Sequence, residues 1–208
     1  PDQQDCSSQG QPAGTQVEGP GGVRLAGWYI PAASGIGPTG PTVILAHGWS
    51  SNKSDMLDRA AILHQTYNLL LFDFRNHGQS GPADTTQGVR EAGDLLAMLD
   101  WLAESKGSAP VAVLGVAMGG ASGLNAAVAD PRIGAVIAEA THATLANAVQ
   151  ARLEEGGYPL SIPGNWAILL GGLLRTGVDM SAADPIQAIA RLDDRPVLVV
   201  SGGQDRSI

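Results

Sequence analysis

The chain has 208 residues, of which 44% are hydrophobic and 15% charged. This length supports one domain, and the apolar share excludes global disorder. The formal net charge is −8, and ten scattered Arg accompany only two Lys (Lys53 and Lys106), which argues against a binder of nucleic-acid phosphates. With 28 Gly and 13 Pro but no Gly-X-Y period, the composition favours many tight turns and excludes collagen.

Cys6 stands alone, so neither an internal disulfide nor a multi-cysteine metal site is expected. The four His are dispersed and no H-E-x-x-H occurs, so no metal site and no cofactor are expected. No run of 18 apolar residues is present. Residues 1–16 are polar and rich in Gly, Pro and Ser, and read as a tail or linker. The chain opens at Pro1 without an initiator Met, which prompts the expectation of an upstream segment.

Residues 23–30 partly alternate and follow Gly19-Pro20-Gly21-Gly22, which predicts an antiparallel hairpin with residues near 16–18. Residues 42–46 form a short apolar run, as a strand buried on both faces does. A helix is predicted over residues 54–65, a second buried strand over 69–72 and a helix over 88–104. A third buried strand (111–114) leads into a small-residue helix (118–129), and a fourth and a fifth buried strand are read at 135–138 and 197–200. Buried strands alternating with helices predict a mostly parallel sheet covered on both faces. Ligands of such a sheet gather at the carboxyl ends of its strands.

The third strand ends in Gly115-Val116-Ala117-Met118-Gly119-Gly120. Strand, G-x-nucleophile-x-G, helix is the nucleophile-elbow pattern, in which a strained turn lifts one side chain above the sheet. Here the central residue is Ala117, so the shape is present without the nucleophile. Three more motifs stand at strand ends: His47-Gly48-Trp49, Asp73-Phe74-Arg75-Asn76-His77-Gly78-Gln79-Ser80, and Ser201-Gly202-Gly203-Gln204-Asp205. Together they resemble the α/β-hydrolase superfamily over most of the chain. Within it, residues 28–32, 47–56 and 73–80 look closest to a bacterial branch similar to prolyl-oligopeptidase-type and dienelactone-hydrolase-type serine hydrolases.

The resemblance implies an α/β-hydrolase fold with a core over residues 17–140, a cap insertion over 141–190 and a return to the core over 191–208. It places a nucleophilic Ser at position 117, the oxyanion donors at the main-chain N–H groups of Trp49 and Met118, and the catalytic acid at Asp205. In this fold the order is nucleophile, acid, His. The base is therefore expected after Asp205, in a segment with the last strand and helix that would pair with this chain. The resemblance further implies cleavage of small carboxylic esters through an acyl-enzyme, with peptide or amide cleavage as the alternative. A membrane anchor upstream of the linker is also implied, hence a membrane-tethered or extracytoplasmic location, with the cytoplasm as the alternative.

Of the histidines present, His47 is expected to support the oxyanion loop, His77 to hold its turn, and His64 to face outward on the first helix. His142, at the start of the cap, is read as a substrate contact rather than the base. Trp49, Trp166, Leu169 and Leu170 are the other candidate substrate-binding residues, and Tyr158, Ile162, Ile168, Leu173 and Leu174 could join them around an acyl pocket. The competing reading has most of the cap residues packing the cap onto the body. Ser122 is read as a packing residue and Asp184 as a helix N-cap. As written, the chain is expected to be inactive. The otherwise intact motifs favour a deliberate Ser→Ala change over a natural pseudoenzyme that keeps the fold for binding.

Overall fold

The computed structural model describes residues 13–107, 110–158 and 161–203. Seven strands form one sheet: β1 (Ala13–Gly19), β2 (Val23–Ile30), β3 (Thr42–Ala46), β4 (Asn68–Phe72), β5 (Val111–Val116), β6 (Ile133–Glu139) and β7 (Val197–Val200). Their spatial order is β1-β2-β4-β3-β5-β6-β7. The pairs β1–β2 and β2–β4 are antiparallel, and the strands from β4 to β7 are parallel to one another. The expected mostly parallel sheet is observed, but among the described residues β7, expected to be buried, is an edge strand that leaves Leu198, Val199 and Val200 exposed. The tail is shorter than expected, because residues 13–16 already belong to β1, paired with Ala26–Tyr29 in the hairpin. That hairpin turns on Gly21 and Gly22, both in the left-handed region, with the Gly22 N–H closing on the Gly19 carbonyl at 3.1 Å.

Every residue of β3 and β4 is buried. The alternation of side chains between faces sorts them into two layers. Ile44, Ala46, Leu70 and Phe72 join the larger core with Leu95, Leu99 and Leu102 of α2 (Val89–Lys106) and Leu124 and Ala127 of α3 (Met118–Ala129). Val43, Leu45, Leu69 and Leu71 pack with Met56 and with Ala60 of α1 (Leu57–Leu63). Burial on both faces is why these strands read as unbroken apolar runs.

The helix expected over residues 54–65 is broken. Asn52 and Asp55 form a capping box that closes a 3-10 turn over Lys53–Met56, and α1 starts only after it. In α2 the buried Glu91 carboxylate accepts from the Thr86 N–H at 2.7 Å, the Thr86 hydroxyl at 2.9 Å and the Gly88 N–H at 2.9 Å, which supplies partners at the helix start.

The segment between β6 and β7 holds α4 (Leu145–Glu155), α5 (Ser161–Thr176), a 3-10 turn at Met180–Ala183 and α6 (Pro185–Ile189). The apolar residues of α5 do not pack onto the body as the competing reading expects. Trp166 is 72% exposed, Leu170 55% and Leu174 77%, and Leu169 is half-buried. The reason is where α5 is tied down. Arg90 donates to the Thr176 carbonyl at 2.8 Å, Arg175 pairs with Asp84, and Gly172 lies against the Met180 side chain. At its other end Asn165 donates to the Ala146 carbonyl of α4 at 3.0 Å, so α5 packs along α4, its 172–176 end meets the loop before α2, and Trp166 stays outward. Among the described residues, no helix is long and apolar enough to cross a membrane.

Candidate active site

The turn from β5 into α3 holds Ala117 at φ 50°, ψ −112°, a conformation that non-glycine residues rarely adopt. Such a residue costs on the order of 1–3 kcal/mol and persists only where its surroundings over-determine it. Here they do. The Ala117 N–H donates to the Glu139 carbonyl at 2.9 Å, and its own carbonyl accepts from the Gly120 and Ala121 N–H groups at 3.0 and 3.1 Å. The neighbouring glycines are required by space. A Cβ at Gly115 would run into the main chain of Gly119 and Gly120. A Cβ at Gly119 would lie 2.6 Å from the His47 carbonyl oxygen, and one at Gly120 would collide with the Thr141 hydroxyl. The G-x-x-x-G-G pattern is thus what lets α3 rise directly beside β3 and β5.

The loop after β3 comes up against this turn: a Cβ on Gly48 would sit 3.5 Å from the Ala117 Cβ. The next residue, Trp49, is 57% exposed. Among the described residues, the main-chain N–H groups of Trp49 and Met118 have no hydrogen-bond acceptor. Met118 is also the first residue of α3, whose N-terminal end carries partial positive charge.

The loop is stitched to the turn after β4. The fully buried His47 donates from Nδ1 to the Gly48 carbonyl at 2.7 Å and accepts the Phe74 N–H on Nε2 at 3.1 Å. An imidazole that accepts on Nε2 is neutral, and burial lowers the His47 pKa to about 4. His77 donates from Nδ1 to the Arg75 carbonyl at 2.8 Å and accepts the Ser50 N–H on Nε2 at 3.2 Å. The Asp73 carboxylate accepts from the Lys53 N–H at 2.7 Å, the Lys53 ammonium at 2.5 Å and the Gln79 N–H at 2.8 Å. Both charges of that pair are buried, and the Lys53 Nζ stands 4.7 Å from the centre of the Trp28 ring. Gly78 is compelled at φ 50°, because a Cβ there would fall 2.5 Å from Asp73 Oδ1. Arg75 and Asp94 form a second buried pair, with contacts of 2.9 and 2.6 Å, that anchors the turn to α2.

On the other side of Ala117, the Glu139 carboxylate receives both Nε and Nη2 of Arg59 on α1, and the guanidinium holds its pKa down. Sequence reading did not anticipate this pair, whose members stand 80 residues apart with no motif linking them. His142 is buried, without a hydrogen bond among the described residues, and burial lowers its pKa. His64 ends α1, partly exposed, with its ring against the Ala61 carbonyl at 3.0 Å. The Ser122 hydroxyl is fully buried and donates to the Met118 carbonyl at 2.7 Å, so it is not available as a nucleophile. Asp184 occupies the N-cap position of α6, yet its carboxylate accepts the Leu145 N–H at 2.9 Å and thereby caps α4 instead.

Asp205 and Cys6 lie outside the described residues. A cavity of about 610 Å³ opens between the loop after β4 and the end of α5, lined by Asn76, Asp84, Thr85, Arg175, Thr176 and Met180 among others. None of Trp49, His142, Trp166, Leu169 and Leu170 lines it. No cluster of three or more His, Cys, Asp or Glu that could hold a metal ion occurs among the described residues.

Comparison with known proteins agrees with this geometry. The chain is 34% identical over 125 residues to the Mycobacterium tuberculosis protein Rv2307c, covering 58% of this chain and 43% of that protein. It is 28% identical over 145 residues to Escherichia coli YfhR, covering 67% and 50% respectively. It thus matches half the length or less of these curated relatives. The fold is similar to that of the Pyrococcus furiosus esterase Pf2001, with TM-score 0.67, 21% identity and coverage of 92% of this chain and 82% of that one. It is also similar to the α/β hydrolase GrgF from Penicillium sp. sh18, with TM-score 0.67, 20% identity and coverage of 95% and 82%. The model of the alpha/beta hydrolase family matches residues 43–206, and with an elbow at 117 and the strand order of the sheet in agreement, the chain belongs to that family.

Proposed function

We propose that this is the scaffold of a serine hydrolase acting on small carboxylic esters, in a form that Ala117 renders inactive. The observation that carries the reading is the strained elbow at Ala117, set beside two main-chain N–H groups, of Trp49 and Met118, that have no acceptor among the described residues. With Ser at position 117, its hydroxyl oxygen attacks the ester carbonyl while a histidine takes the proton. The carbonyl π electrons move onto oxygen, and the two N–H groups stabilise that oxyanion. Collapse expels the alcohol, which takes the proton back from the imidazolium, and water then hydrolyses the acyl-enzyme by the same steps. Asp205 is assigned to orient the imidazole, which is assigned to follow it in the whole protein. Each properly aimed oxyanion donor contributes on the order of 10²–10³ in rate. Both donors are main-chain groups, so the hole does not depend on the side chain at 117.

The test is Ala117→Ser in the full-length protein, assayed with p-nitrophenyl esters of increasing acyl length and with a fluorophosphonate probe. Turnover and labelling at position 117 are expected. A folded variant that neither turns over nor labels refutes the reading. Ala117 itself favours a second one, a non-catalytic binder on the same fold. That reading predicts that the restored variant stays inert while the parent chain binds an ester without cleaving it.

A further inference from the structure

We propose that His77 is a positioning residue for the oxyanion site: with His47 it fixes the two peptide units that flank the Trp49 Cα, and so the direction of the Trp49 N–H. The proposal rests on the reading of that N–H as an oxyanion donor. The peptide unit before the Trp49 Cα contains the Gly48 carbonyl and the Trp49 N–H. Its oxygen is held by His47 Nδ1–H at 2.7 Å and by the Ser51 N–H at 3.3 Å. In a trans peptide the N–H points opposite to the C=O, and no cis peptide occurs among the described residues. Holding the oxygen therefore aims the Trp49 N–H.

The peptide unit after the Trp49 Cα contains the Ser50 N–H, which donates to His77 Nε2 at 3.2 Å. Without that bond, rotation about the Trp49 Cα–C bond would be free to relax the left-handed Ser50, whose φ is 59°. His77 cannot rotate to another partner easily, since its Nδ1–H is committed to the Arg75 carbonyl at 2.8 Å and Arg75 is clamped to Asp94. The two imidazole rings stand 5.1 Å apart, and each uses one nitrogen as donor and the other as acceptor toward main chain. The pair forms a brace between the turn after β4 and the loop after β3. Trp49 presents little else to hold it, since its side chain is mostly exposed.

The experiment compares His77→Gln with His77→Asn. Gln places an acceptor near the position of Nε2, whereas Asn keeps a donor near that of Nδ1 and cannot reach Ser50. In the full-length Ala117→Ser background, His77→Asn is expected to lower kcat for a p-nitrophenyl ester by about 10-fold or more with KM within twofold, as misplacing one oxyanion donor does. His77→Gln is expected to recover most of kcat. Equal kcat in the two variants, or a loss confined to KM, overturns the proposal.

The second arm uses the chain with Ala117 and needs no turnover. In ¹⁵N NMR spectra the parent is expected to show His77 as the neutral Nδ1–H tautomer. The Trp49 and Ser50 amide resonances are expected to move in His77→Asn and return toward parental positions in His77→Gln. Unmoved Trp49 and Ser50 amides overturn the brace. Absence of turnover in the Ala117→Ser parent together with the expected amide shifts counts against the ester-hydrolase reading and leaves the brace standing.

Discussion

The elbow makes a quantitative demand that one methyl group can test. Gly119→Ala would drive a Cβ into the Ala46 carbonyl oxygen, its nearest obstacle, and place it 2.6 Å from both the Ala46 carbonyl carbon and the His47 carbonyl oxygen, already about 0.8 Å inside the 3.4 Å at which ordinary contact begins. Both obstacles are main chain at the end of β3, so no side-chain rotation relieves the clash. Overpacking of this kind costs about 1–3 kcal/mol, and more when backbone must move. Replacing Gly by Ala inside a helix returns about 1 kcal/mol. Because the obstacles here are main chain, the cost is set at or just above the top of that range, about 3–4 kcal/mol, and the net expectation is a loss of about 2–3 kcal/mol. Gly171→Ala is the matched control, since it also lies inside a helix but with open space around its Cβ position, and it should stabilise by about 0.5–1 kcal/mol. Urea unfolding followed by far-ultraviolet circular dichroism reads both. For a domain of this size the roughly 3 kcal/mol between them corresponds to about 6–12 °C in melting midpoint. If Gly119→Ala unfolds within about 1 kcal/mol of Gly171→Ala, the close approach of α3 to β3 is wrong.

Further expectations follow from the same contacts. Gly120→Ala meets chiefly the Thr141 hydroxyl, which can rotate away, so it should cost less than Gly119→Ala in the same unfolding assay. Ala117→Gly removes a strained φ and should stabilise by about 1 kcal/mol or less, because the relief is partly offset by the greater backbone entropy of Gly. Asp94→Ala leaves Arg75 buried and unpaired, and is expected to cost about 3–5 kcal/mol by denaturant titration. The His47 pKa is lowered to about 4 by burial, below the ordinary value of about 6.5. Between those values the unfolded chain binds the extra proton, so the neutral His47 contributes stability at pH 7 that is lost as pH falls from 6.5 to 4, on the order of 3 kcal/mol. His47→Gln should flatten that part of the pH–stability curve, and an unchanged curve would show that His47 is not buried in neutral form. The Glu139 pKa is held down by Arg59, so their pair stabilises above the ordinary carboxylate range and fades as pH falls through the depressed native value. Both side chains are about one-third exposed, so Arg59→Gln should cost no more than about 1 kcal/mol at pH 7.

Most of the sheet was legible because its signal is local. β2, β3, α3 and β7 have the bounds that their residue patterns predict: β3 and β7 are short apolar runs, β2 partly alternates after a Gly-Pro-Gly-Gly turn, and α3 is a small-residue stretch that starts at the elbow. The break before α1 was less visible, because a capping box at Asn52 and Asp55 looks the same at the start of a 3-10 turn as at the start of a helix. The exposure of α5 was not legible for a different reason. The apolar content of α5 says that it has an apolar side, but its placement rests on contacts distant in sequence, with Asn165 on Ala146 of α4, Arg90 on Thr176 and Arg175 on Asp84, the last two pairs 86 and 91 residues apart. The site divides along the same line. The elbow and the HGW loop announce themselves as contiguous motifs. The bond from Ser50 to His77 and the pair of Arg59 with Glu139 join residues 27 and 80 positions apart, and no periodicity points to either.

The elbow glycines are not in themselves a mark of retained chemistry, because their geometry gives them a reason independent of it. Gly115 faces the main chain of Gly119 and Gly120, Gly119 faces Ala46 and His47, and Gly120 faces Thr141. None of these contacts involves the side chain at 117. The turn itself is held through the Ala117 N–H to Glu139 and through its carbonyl to Gly120 and Ala121, again without that side chain. Packing alone therefore keeps the elbow strained in the presence of alanine. A scaffold so over-determined keeps the same main-chain geometry with or without a hydroxyl at position 117. Ala117→Ser should place its oxygen above the sheet without moving the main chain.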